Sequence, residues 1–171
     1  HWRSRIGVLG WRPLFPLAWL VRPILPGRLL GRRLGLRSAG AGAGARFDGL
    51  WNRWWDRPVM PGIEVREADR ASGEWDAFWN GIQPTIGPCL ARDASWINWR
   101  YRDPPDARFR VLVARRDGQP AGYLAARVRD GSAVIGDVFT APEDAPVFGA
   151  LVGDAVRRLV AEGVPVTRAL A

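Results

Sequence analysis

The period of the apolar positions changes several times along the chain, and each change marks an element. From residue 63 the pattern is regular. Ile63 and Val65 alternate with charged neighbours, which predicts a short strand. Ser72 stands as an N-cap ahead of Glu74, and Trp75, Phe78, Trp79 and Ile82 follow at helical spacing. Residues 84–88 begin and end on proline and read as a loop. Ser95 to Tyr101 predicts a second short helix, stopped by Asp103-Pro104-Pro105. Three strands follow at 109–114, 121–128 and 133–140, with Asp117-Gly118 and Asp130-Gly131 as hairpin turns between them. Pro142-Glu143-Asp144 opens a helix over 144–162 whose apolar face holds Val147, Leu151, Val152, Ala155, Val156, Leu159 and Val160, and Gly163 caps it. Val164 to Leu170 begins a last strand. The order β, α, α, β, β, β, α, β predicts an α+β (α/β) fold. An antiparallel meander leads into a right-handed β-α-β crossover within one mixed sheet.

The first third is less regular. Residues 6–30 are the most apolar stretch, but Arg12, Arg22, Pro13, Pro16, Pro23 and Pro26 interrupt it. A membrane span needs about 20 mostly apolar residues in a row, so no span is expected here, and a signal peptide is not expected either. Ser38 to Arg46 alternates Ala and Gly and reads as a flexible linker. Phe47, Leu50, Trp51, Trp54 and Trp55 fall at i, i+3, i+4, i+7 and i+8, a short amphipathic helix ended by Pro58 and Pro61-Gly62. Three stretches result: an Arg/Trp-rich segment over 1–35, a linker with its helix over 36–62, and the main domain over 63–171. With His1 at one end and an apolar run at the other, both ends read as cut. A sheet stopping at the last strand is expected to leave an open edge.

Composition narrows the chemistry. Eleven Arg against Asp48 and Asp56 give residues 1–57 a balance of +9, so the formal +8 of the chain leaves −1 (8 minus 9) for the rest. All 25 basic residues are Arg, in a chain rich in Ala, Gly and Pro, a compositional habit rather than a sign of nucleic-acid binding. The single Cys89 cannot form an internal disulfide, which points to a reducing, cytoplasmic setting. One Cys and one His do not make a zinc site, and no metal site is expected.

The stretch Ile135-Gly136-Asp137-Val138-Phe139-Thr140-Ala141-Pro142-Glu143-Asp144 resembles the fourth strand and following turn of the GCN5-related N-acetyltransferases, the GNAT family. Trp99-Arg100-Tyr101 with Asp103-Pro104 resembles a signature found after the second helix in a subgroup of that family. Ile6 to Arg12 resembles the Leu-Gly-aromatic ending of a GNAT domain, so residues 1–35 are expected to be the tail of a preceding copy, with contacts to a second GNAT domain.

The resemblance implies acetyl-CoA as co-substrate and a small-molecule or peptide amine as acceptor. Two strands of the family splay apart around the pantetheine arm, and a helix N-terminus meets the pyrophosphate. Carried onto this chain, Asp137 is the candidate general base. Val138, Phe139 and Thr140 form the pantetheine platform, and Phe148, Gly149 and Ala150 the phosphate loop. The family's Arg/Gln-x-x-Gly-x-Gly/Ala pattern is met only by Ala150 in the simplest register, with Ala145 and Phe148 at the other positions; a shifted register brings in Gly149. The general acid, commonly a Tyr beyond the next strand, has no counterpart here.

Plainer readings stand beside these. Asp137 reads equally as a structural residue bonding its surroundings. Trp75, Trp79, Trp96 and Trp99 read as core more readily than as a substrate pocket. Arg100 and Arg102 read as surface or ion-paired, and Tyr101 and Tyr123 as packing. Three functions remain open: an acetyltransferase, a non-catalytic GNAT-like scaffold that has lost its phosphate loop, and a peripheral protein lying on an anionic membrane through residues 1–35.

Overall fold

In the computed structural model, residues 19–34, 41–55, 60–105 and 109–170 are described. The Ile6–Arg12 resemblance and Pro58 lie outside them. The meander is built by β2 (Ile63–Ala68), β3 (Arg110–Arg116), β4 (Gln119–Arg129) and β5 (Ser132–Thr140), each antiparallel to the next. Both Asp-Gly pairs make the expected two-residue hairpins: Asp117, Gly118, Asp130 and Gly131 all have positive φ, as type I′ turns require.

Between β2 and β3 run α3 (Gly73–Ile82) and α4 (Ala94–Tyr101), after α1 (Pro26–Arg33) and α2 (Ala41–Trp55) near the N-terminus. The crossover is α5 (Ala145–Ala161), which leads into β6 (Val166–Leu170), parallel to β5. Gly163 and Val164 close α5 by donating to the carbonyls of Val160 and Leu159, the double bond of a Schellman motif.

Two apolar layers sandwich the sheet. On one face Trp75, Ile97 and Tyr101 of α3 and α4 pack on Val111, Val113, Tyr123 and Ala125. On the other, Val147, Leu151 and Ala155 of α5 pack on Leu112, Ala114 and Leu124. Each large apolar side chain buried this way contributes about 1.5–3 kcal/mol. Trp75 and Trp79 belong to this core as expected, but Trp99 departs from it: its indole is 64% exposed on the outer side of α4.

The first third departs further from expectation. The Ala-Gly stretch from Ala41 is the first turns of α2, not linker. Its small residues let two helices touch: a Cβ on Gly27 of α1 would stand 2.3 Å from the Gly44 carbonyl oxygen. The proline-broken stretch before it also holds a strand, β1 (Trp19–Pro23), paired antiparallel with β6. The expected open edge is thus covered. Among the described residues the sheet has six strands in the order β1-β6-β5-β4-β3-β2. Pro23 ends β1 and Pro26 begins α1, positions where a missing N–H costs nothing. The docking is specific. The Ile24 and Leu25 amides donate to the Pro165 carbonyl, and both side chains pack on Ala133, Leu159 and Val164. Asp48 of α2, 4% exposed, accepts from the amides of Gly27 and Arg28 at the start of α1.

Candidate functional site

The chemistry gathers where β5 leaves its neighbour. Ala125 of β4 faces Asp137, but Ala126 faces Ile135, so Gly136 is an unpaired bulge residue. The bulge has a local cause: Phe109 lies against it, and a Cβ on Gly136 would stand 2.7 Å from the ring. The ladder from β5 to β6 covers only Ala133, Val134 and Ile135. From Gly136 to Thr140, β5 therefore has β4 on one side and, among the described residues, no strand on the other. Bulge and free edge begin at the same residue, and Asp137 is the next one.

Asp137 points to the face covered by α3 and α4. Its Oδ2 accepts from the Tyr123 hydroxyl at 2.6 Å and from Arg92 Nε at 3.2 Å. The Asp137 side chain is 16% exposed and Arg92's is 22%. The Arg92 guanidinium lies 5.0 Å from the centre of the Phe139 ring and 5.7 Å from that of Trp96, a cation–π bracket that holds it over the carboxylate. Burial, the largest single influence, works against the Arg92 charge, but Asp137 and Tyr123 together outweigh it and the pKa rises. Burial, with Asp137 adding to it, drives the Tyr123 pKa far up. Tyr101, edge-on to Trp96, is raised in the same way, first by burial and then by Asp137. Both phenols are therefore neutral hydroxyls well above neutral pH.

Asp137 is thus both candidate base and structural partner. Oδ2 is anchored by Tyr123 and Arg92, and the Tyr101 hydroxyl lies near enough to feel the same carboxylate. Tyr123 and Arg92 were not legible as its partners. Tyr123 lies fourteen positions away on a neighbouring strand, and Arg92 sits in the irregular segment between α3 and α4.

The expected cofactor residues fall into two groups. Val138, Phe139 and Thr140 lie on the free-edged part of β5, with the Phe139 ring packed among Phe78, Trp79 and Tyr123. Among the described residues no strand pairs with their outer side. Phe148, Gly149 and Ala150 do not form a loop; they lie inside α5, and the Phe148 ring is 49% exposed. The start of α5 also does not fit a pyrophosphate. Asp144 takes φ −79° and ψ 63°, an inverse γ-turn that returns the Ala145 amide to the Glu143 carbonyl at 2.8 Å. Pro146 has no N–H. The Val147 amide donates to Asp144 Oδ1 at 3.2 Å, and the Phe148 amide to the Asp144 carbonyl. Arg116 forms two bonds of 2.9 Å to the Asp144 carboxylate, and its hydrogen bonds, ahead of the Val147 amide, hold the Asp144 pKa below the usual carboxylate range.

Other marked residues turn out structural. Arg102 donates to the carbonyls of Asp69, Ala68 and Phe109, stapling the end of β2 to the entry of β3. An open pocket of about 240 Å³ lies on the α5 face, opposite Asp137; of its three arginines, Arg110 and Arg158 are paired to Glu162, Glu67 and Asp154, and Arg127 lies over the Phe109 ring. Cys89 is exposed and unpaired. Among the described residues no group of acidic, His or Cys side chains is placed to hold a metal, and no helix is long and apolar enough to cross a membrane.

No family model and no curated protein matches the sequence. Solved structures do match. A conserved protein from Enterococcus faecalis, described as a probable N-acyltransferase, superposes with a TM-score of 0.53 at 13% identity over 98% of this chain and 41% of its own. A functionally unknown conserved protein from Staphylococcus epidermidis gives 0.51 at 13% identity, over 99% of this chain and 55% of its own. A GCN5-related N-acetyltransferase from Kribbella flavida gives 0.42 at 19% identity, over 68% and 43%. The chain spans between 41% and 55% of the length of these structures.

Proposed function

We propose, from the premise that this chain has the GNAT fold, that it transfers an acyl group from a thioester to an amine at the bulge of β5. The observation that carries the reading is Asp137. It follows the bulge in β5, with Oδ2 held by Tyr123 and Arg92. A thioester whose arm lies along residues 138–140 as an added strand brings its carbonyl to this point. An amine arriving from the α3 and α4 face meets Asp137, which receives the proton the nitrogen loses as the amide bond forms; the thioester C–S bond breaks, and the thiolate leaves and takes its proton from solvent. Tyr123 and Arg92 fix the direction of the carboxylate, so no ordering is left to do at the moment of reaction.

Acetyl-CoA is the donor that the resemblance implies. The free edge of β5 suits its pantetheine arm, whereas the first turn of α5 does not suit its pyrophosphate. No step is assigned to that end. The non-catalytic alternative rests on the same first turn alone. The division at residues 35 and 62, and a second GNAT domain packed on the first, are proposals of the same standing.

The test is thiol release from acetyl-CoA and from acetylated pantetheine in the presence of amino acids, aminoglycosides and short peptides, followed by mass spectrometry of the amide. Asp137→Asn is expected to lower turnover about 10²- to 10⁴-fold, the usual contribution of a positioned base. Turnover that survives in Asp137→Asn removes Asp137 from the chemistry. Absence of turnover by the folded wild-type chain with every amine favours the scaffold reading.

A further inference from the structure

The first turn of α5 is filled by the chain itself, and this bears on which donor the proposed transfer uses. We infer that Asp144 is a specificity-determining residue: its carboxylate holds the helix end where a phosphate-bearing donor would bind, so that the acyl thioester is recognised by its arm and not by its phosphates. This rests on the acyl-transfer reading above.

A helix start attracts phosphate because its first amides are free and its dipole is positive there. Here neither attraction is left. The Ala145 amide is turned back on Glu143, Pro146 supplies no donor, and the Val147 amide belongs to Asp144. The dipole is answered by the Asp144 carboxylate, both of whose oxygens Arg116 grips at 2.9 Å. Glu143, exposed beside it at φ 60°, adds a second negative charge. A pyrophosphate arriving here meets two carboxylates, and the amides of Asp144, Ala145 and Val147 are already spent. From Gly136 to Thr140, β5 pairs with β4 alone among the described residues, and on the acyl-transfer reading the uncharged arm of the same molecule lies along its other side. The two ends of one donor thus receive opposite treatment, and the difference lies in Asp144.

Removal of the charge reverses the treatment. Asp144→Ser keeps an oxygen to cap Val147 and so keeps the helix start, while it frees Arg116 to face an anion. Titration calorimetry on the full chain at low salt, where surface charge is least screened, reads the effect with three probes: inorganic pyrophosphate, coenzyme A and pantetheine. The wild-type chain is expected to give no saturable binding of pyrophosphate and to bind coenzyme A and pantetheine within about threefold of each other. Asp144→Ser is expected to gain pyrophosphate binding and to favour coenzyme A over pantetheine by about tenfold or more. Asp144→Ser/Arg116→Ala is expected to lose that gain. Wild-type binding of coenzyme A at least about tenfold tighter than pantetheine, unchanged in Asp144→Ser, overturns the inference and leaves the transfer reading intact. Silence of Asp144→Ser toward pyrophosphate overturns it as well. A gain of pyrophosphate binding without pantetheine binding or thioester turnover in the wild type supports the role of Asp144 and overturns the transfer reading instead.

Discussion

Tyr123→Phe isolates the bond that anchors Asp137. The hydroxyl sits 2.6 Å from Asp137 Oδ2 on a side chain that is 0% exposed, so no water replaces it when it is removed. A hydrogen bond to a charged group is worth about 1.5–3 kcal/mol. The ring is retained, with its edge contact to Trp75 at 5.7 Å and its tilted contact to Phe139 at 6.1 Å, so packing adds little to the cost. Asp137 keeps Arg92 at 3.2 Å and is not left unpaired. The expected loss is therefore the bond itself, about 1.5–3 kcal/mol, or roughly 3–12 °C in Tm for a chain of this length. Urea denaturation measures it, and a second background apportions it. In Asp137→Asn the acceptor is neutral and the same Tyr123→Phe change should cost only about 0.5–1.5 kcal/mol. A cost below about 0.5 kcal/mol, or an equal cost in both backgrounds, refutes the claim that Tyr123 positions an ionised Asp137.

Three other outcomes follow from the same geometry. Tyr101 and Tyr123 are the only tyrosines of the chain, and both have raised pKa values; absorbance at the tyrosinate band should stay flat through pH 10–11 and rise only on unfolding, while stability, complete below the free tyrosine pKa of about 10, falls above it. Tyrosinate appearing in the folded chain near pH 10 would contradict the burial of both. Gly122→Ala places a Cβ 2.7 Å from the Phe139 carbonyl oxygen and 3.0 Å from Val147 and should cost about 1–3 kcal/mol, whereas Gly149→Ala, with nothing within 4 Å in the second turn of α5, should gain about 0.5–1 kcal/mol; denaturation curves of the pair test the contrast. Asp48→Ala strips the amides of Gly27 and Arg28 of their buried acceptor and should cost about 1–3 kcal/mol, with faster hydrogen exchange confined to residues 23–30; unchanged exchange there would show that α1 holds to the sheet without α2.

Much of the main domain was legible because its signals are local. The two Asp-Gly pairs admit little but tight hairpins, and the apolar stripe of α5 repeats at helical spacing over four turns. Gly163 marks the end of that helix by its own backbone. The order of these elements was enough to recognise the fold, and Asp137 was reachable as a candidate because its neighbours resemble one strand of a known family.

What the tertiary structure decided depends on partners distant in sequence. A proline-broken Arg/Trp stretch carries no strand signal, yet Trp19–Pro23 becomes a strand because β6 offers an unpaired edge. An Ala-Gly repeat reads as flexible, yet from Ala41 it is helical because Gly44 must pass close to Gly27. Nothing in the periodicity ties Tyr123 and Arg92 to Asp137; only the pairing of β4 with β5 and the path of the chain between α3 and α4 bring them together. Asp144 was legible as part of the turn that opens α5, but its grip on Val147 and Arg116 was not, because Arg116 arrives from a hairpin 28 positions earlier. Local sequence sets the backbone dihedrals and the apolar faces; hydrogen bonds between distant groups set which polar atoms are spent and which remain free to act.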